Sequence, residues 1–73
     1  MDTYKLLDVV ALTEDIPKHN LRRGQVGTIV EVFEDGKAFE VEFSDQKGKT
    51  YESIGVKPEQ MLVLQYEPEL VAA

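Results

Sequence analysis

The chain has 73 residues, no cysteine, and fourteen acidic against eight basic side chains, a formal net charge of −6 with its single histidine neutral. That length accommodates one domain with a small core, since a chain of this size buries only about 60% of the surface it exposes when unfolded. The composition excludes a disulfide framework, a thiolate zinc site and a cysteine nucleophile, and its acidity disfavours a grip on nucleic-acid phosphates, which draws on clustered Lys and Arg.

Glycines and prolines punctuate the chain into short apolar runs rich in β-branched and aromatic residues. The first run, Leu7–Leu12, is followed by a long connection from Thr13 to Arg23. Val26–Phe33 and Ala38–Phe43 come next, separated by Asp35-Gly36, and Asp45-Gln46-Lys47-Gly48 reads as a turn. Thr50–Ile54 is the fourth run, Pro58-Glu59-Gln60 has the makings of one 3₁₀ turn, and Met61–Tyr66 is the fifth run. Five strand-length segments at regular spacing predict a small all-β fold. Closing five antiparallel strands on themselves buries the single apolar face and removes exposed edges. The expected architecture is therefore a five-stranded antiparallel SH3-like barrel over residues 1–66, with an open meander as the alternative and residues 67–73 as a frayed tail. No apolar run approaches the roughly 18 residues that span a bilayer, and the charged start does not read as a signal peptide, so the expected location is cytoplasmic, with no membrane partner.

The central hairpin carries the clearest local signal. Asp35-Gly36 suits a type I′ turn, whose two central residues need positive φ. Counting back from that turn pairs Phe33 with Ala38, Val32 with Phe39, Glu31 with Glu40, Val30 with Val41, Ile29 with Glu42 and Thr28 with Phe43. Thr28, Val30, Val32, Phe39, Val41 and Phe43 then share the predicted core face, while Ile29, Glu31, Phe33, Ala38, Glu40 and Glu42 face solvent.

The run Leu21-Arg22-Arg23-Gly24-Gln25-Val26-Gly27-Thr28-Ile29-Val30-Glu31-Val32 resembles the glycine-bearing loop and strand of ribosomal and transcription-factor KOW-type barrels. A fuller resemblance covers Tyr4 to Tyr66. Leu6-Leu7-Asp8-Val9-Val10-Ala11-Leu12, Asp15-Ile16-Pro17, Leu21 to Val32, Phe39-Glu40-Val41-Glu42-Phe43, Gly48-Lys49-Thr50-Tyr51 and Gln60-Met61-Leu62-Val63-Leu64 resemble domain-of-unknown-function family 4926. These are small bacterial proteins, frequent in cyanobacteria. The resemblance implies a lone SH3-like barrel with no assigned activity. Because some members sit beside toxin-like genes, it also implies a co-encoded protein partner. It supplies no catalytic residue.

The charge has an address. Residues 1–30 hold Asp2, Asp8, Glu14 and Asp15 against Lys5, Lys18, Arg22 and Arg23 and are neutral, so the whole of the −6 lies in residues 31–73. The predicted register sets Glu31 opposite Glu40 with Glu42 two residues along, and like charges so placed repel by tenths of a kcal/mol. Ile29, Glu31, Phe33, Glu40 and Glu42 thus form the candidate partner-binding face, with Ile29 and Phe33 as its apolar anchors. The bland reading is a solvated face that keeps a small barrel soluble. Lys18, Arg22 and Arg23, beside His19, form an alternative loop contact. It lacks an aromatic stacking platform, and its bland reading is a loop whose cations neutralise Glu14 and Asp15.

No catalytic set emerges. His19 has no partner ligand or nucleophile in sequence, Ser44 and Ser53 have no motif around them, and Tyr4, Tyr51 and Tyr66 read as barrel-edge aromatics. The carboxylates match no EF-hand loop, and Gly24-Gln25-Val26-Gly27 opens a strand rather than a phosphate-binding helix. The expectation is a non-enzymatic module without metal, cofactor or small-molecule ligand, binding another protein that is basic. A KOW-like RNA- or ribosome-associated module is the alternative. A third possibility is an accessory subunit of a larger complex, such as a photosynthetic electron-transfer assembly.

Overall fold

The computed structural model describes residues 4–66 and 68. The expected frayed tail over residues 67–73 lies almost wholly outside these residues. Where β-branched and aromatic residues concentrate, the backbone extends, giving β1 (Val9–Leu12), β2 (Val26–Phe33), β3 (Ala38–Ser44), β4 (Thr50–Val56) and β5 (Met61–Val63). All are antiparallel in one sheet of order β4-β3-β2-β1-β5. Among the described residues there is no α-helix, only short 3₁₀ turns, one of them the expected Pro58–Gln60.

Val10 and Leu12 of β1, Ile29 of β2, Phe39, Val41 and Phe43 of β3, Ile54 and Val56 of β4 and Met61 of β5 meet in one core. Because both outer strands contribute to it, the sheet curls until its ends approach each other. The five antiparallel strands in one small all-β fold are those expected from the sequence; among the described residues, no ladder joins β4 to β5. Tyr4 bridges β3 to the start of β5. Its ring lies 5.3 Å from that of Phe39, and its hydroxyl is within donating distance of the carbonyls of Met61 (3.1 Å) and Pro58 (3.2 Å).

Two strands are shorter than expected. β1 begins at Val9 rather than Leu7, because residues 5–8 form a hydrogen-bonded turn in which Leu7 takes φ +72° instead of an extended conformation. β5 ends at Val63 rather than Tyr66, which is largely exposed. The long connection also differs from a purely solvated loop. Ile16 and Leu21 exchange backbone hydrogen bonds of 2.8 and 3.1 Å around the 3₁₀ turn Pro17–His19, and this pin inserts Leu21 into the core.

The hairpin corrects the predicted register. Asp35 and Gly36 do take positive φ (57° and 92°), and the Lys37 N–H donates to the Glu34 carbonyl at 3.3 Å. Phe33↔Ala38, Val32↔Phe39 and Glu31↔Glu40 pair as counted. A β-bulge then intervenes, and Ile29 pairs with Val41, Thr28 with Glu42 and Gly27 with Phe43. The cause is Gly27, which packs so closely that a Cβ there would lie 2.6 Å from Val41 Cγ1. Gly27 and Ile29 therefore face inward, the turn demands the opposite parity, and Val30 takes up the mismatch as the extra residue. Val30 and Val32 are each 40% exposed instead of buried, Thr28 is half-buried, and Ile29 is 0% exposed.

Candidate functional site

The outer face of β2 and β3 keeps its predicted carboxylates. Glu31 stands directly opposite Glu40, and Glu42 follows two residues along, opposite Thr28 on β2 and Ser53 on β4. Glu31 is exposed; Glu40 and Glu42 are partly so. Glu40 accepts a hydrogen bond from the Ser53 hydroxyl at 2.7 Å. Among the described residues, no Lys or Arg side-chain nitrogen lies within 4 Å of a carboxylate, so the repulsion between Glu31 and Glu40 is not offset by an ion pair among them.

The anchors predicted beside these acids change. Ile29 belongs to the core and cannot touch a partner. Phe33 remains on the outer side, half-buried. The bulge substitutes Val30, a neighbour of Glu31, as an exposed apolar side chain. Bulges commonly re-aim a side chain in this way. Leu6 and Leu7 were not singled out in sequence, where Leu7 counted as strand; both are exposed, in a turn hydrogen-bonded to β2 at Ile29.

The basic loop is organised by its backbone. The Arg23 N–H donates to Asp15 Oδ1 at 2.8 Å, the Arg22 N–H donates to Gln25 Oε1, and Glu14 accepts from Gln60 Nε2 at 3.3 Å. The side chains of Lys18, Arg22 and Arg23 make no ion pair with Glu14 or Asp15. Arg22 and Arg23, together with Asp15, Ala11 and Leu62, line one open groove. His19 instead reaches β4, its Nδ1 3.5 Å from Glu52 Oε2. The two sequence candidates therefore occupy separate elements: the acids lie on the β2–β3 face, the arginines in the connection before β2.

Asp45 also has a structural explanation. Its carboxylate accepts the backbone N–H groups of Lys47 (2.8 Å) and Lys49 (3.0 Å), closing the β3–β4 turn that the sequence predicted. Among the described residues, no group of three His, Asp or Glu side chains is arranged to hold a metal ion, and no helix is long and apolar enough to cross a membrane.

Comparison with known proteins gives one result. The model of a protein family described as "Domain of unknown function (DUF4926)" matches residues 6–63. No curated protein and no solved structure matches the chain.

Proposed function

The chain belongs to the DUF4926 family, and on that footing we propose that it is a non-catalytic protein-interaction module whose acidic β2–β3 face docks a basic partner protein. The observation that supports this most is the Glu31–Glu40 pair. Like charges set directly opposite one another cost tenths of a kcal/mol, and no ion pair among the described residues compensates them. A cationic partner would relieve the repulsion on binding, and complementary charge also speeds encounter and selects partners. The family resemblance suggests a co-encoded basic protein met in the cytoplasm, in the manner of an antitoxin or immunity protein.

The test exchanges charge without touching the core. Glu31→Lys with Glu42→Lys leaves the Glu40–Ser53 bond in place and sets Lys against Glu40, so the melting temperature should hold or rise slightly. Proteins captured from the host by the native chain at low salt should be lost by this variant. Equal capture by both, or no capture above background by the native chain, refutes the reading.

A second reading draws on the groove beside Arg22 and Arg23, whose guanidinium groups pair with no carboxylate among the described residues. On this reading the loop contacts RNA phosphates, as in KOW-like modules. Filter binding at low salt should then detect an RNA affinity that Arg22→Glu with Arg23→Glu abolishes. An affinity unchanged by both substitutions overturns it.

A further inference from the structure

The four residues before β1 form a tight turn. The Asp8 N–H donates to the Lys5 carbonyl at 3.1 Å, and Asp8 Oδ2 accepts the Lys5 N–H at 3.0 Å. At the third position of that turn stands Leu7 with φ +72°. A type II turn favours glycine or asparagine there, because the Cβ of other residues crowds its own backbone. The strain is not repaid by burial: Leu6 is 56% and Leu7 75% exposed. The turn is nonetheless fastened to β2, the Leu7 N–H donating to the Ile29 carbonyl at 2.8 Å and the Ile29 N–H to the Asp8 carbonyl at 2.9 Å. The backbone that carries two exposed leucines is thereby tied to Ile29, the residue that precedes exposed Val30 and then Glu31 in the chain. Strained backbone that earns no packing is a pointer to function.

We infer that the Leu6–Leu7 turn is the apolar anchor that seats the partner, an element of the site that rests on the reading of the acidic β2–β3 face given above. The partner surface it fits is an apolar cleft rimmed by Lys or Arg. Protein interfaces place a few desolvated apolar anchors at the centre and charge at the rim, and Leu6, Leu7 and Val30 beside Glu31 and Glu40 have that make-up. Charge also selects the occupant. A second copy meeting this patch about a two-fold axis would bring Glu31 and Glu40 toward their own equivalents, on a chain already at −6, whereas a basic surface meets them with opposite sign.

The decisive substitution is Leu7→Gly, because it moves stability and binding in opposite directions. Glycine relaxes the positive φ and removes the anchor. The probe is a display library of random linear peptides selected on the native protein, with enriched peptides re-measured by fluorescence anisotropy. The expected result is enrichment of peptides carrying Lys or Arg beside apolar residues. They should bind Leu7→Gly about thirtyfold more weakly, the loss of a hot-spot side chain, while this variant melts at or above the native temperature. A turn with only a structural role would show the gain in melting temperature without the loss of binding. If the peptides bind Leu7→Gly as tightly as native protein but are lost on Glu31→Lys with Glu42→Lys, the anchor is refuted and the acidic face stands. If both variants bind as the native protein does, or selection enriches nothing, both readings fall. A dimer in sedimentation that Leu7→Gly dissociates overturns the anchor too, since its occupant is then a second copy.

Discussion

Gly27→Ala should destabilise the protein by about 2–4 kcal/mol, lowering the melting temperature by roughly 10 °C or more. The cause is contact distance rather than backbone freedom. A Cβ at this position would lie 2.6 Å from Val41 Cγ1, 2.9 Å from the Glu42 carbonyl oxygen and 3.0 Å from Phe43 Cδ1. Val41 and Phe43 are 0% exposed in a shared core and have little room to yield, and the carbonyl belongs to β3 itself. Relief requires moving β2 away from β3, which weakens the pairing that holds Thr28 against Glu42 and Ile29 against Val41. The loss is serious for a domain of this size, whose total stability is expected at about 4–11 kcal/mol. Gly55 on β4 is the control: no atom lies within 4 Å of its added Cβ, and its φ is not in the left-handed region. Gly55→Ala should leave stability within about 0.5 kcal/mol or raise it slightly, since glycine weakens strand interiors. Thermal melts followed by circular dichroism separate the two cases. Equal melting temperatures for Gly27→Ala and the native protein would show that β2 and β3 do not approach as described.

The same glycine explains what could and could not be read from the amino-acid order. On β3, apolar Phe39, Val41 and Phe43 alternate with Glu40 and Glu42 without interruption, so the inner and outer faces were legible there and the structure agrees. The pairs nearest the turn were legible as well, because Asp35-Gly36 sets a parity that persists as far as Glu31↔Glu40. On β2 the local pattern is ambiguous: Ile29, Val30 and Val32 are all β-branched and apolar, and any of them could face the core. The choice is made by Gly27 against Val41 and Phe43, a contact between residues distant in sequence, and it opposes the parity of the turn. A bulge resolves the conflict, and no local residue announces it. Leu21 escaped notice for a similar reason, since its burial depends on the backbone pin with Ile16 rather than on strand alternation. The placement of the acids and of Phe33 on the outer face was therefore readable and that of Ile29 was not: β3 alternates without interruption and Phe33 lies on the turn side of the bulge, whereas Ile29 lies across it.

That shift has a direct mutational signature at two adjacent residues. Ile29→Ala should cost about 2–5 kcal/mol, the usual range for removing buried methyl and methylene groups from a packed core, because Ile29 is 0% exposed and belongs to the single core cluster. Val30→Ala should change stability by no more than about 0.5 kcal/mol, as expected of a surface site, because Val30 is 40% exposed as the extra residue of the bulge. An unbroken ladder counted from Asp35-Gly36 demands the reverse, with Val30 paired to Val41 in the core and Ile29 on the surface. Urea unfolding of the two single variants discriminates, since the midpoint should fall sharply for one and stay near native for the other with an unchanged slope. The pair also bears on function. If Val30 contributes to the docking face, Val30→Ala should weaken partner binding while leaving the midpoint in place, a combination that a residue packed in the core could not give.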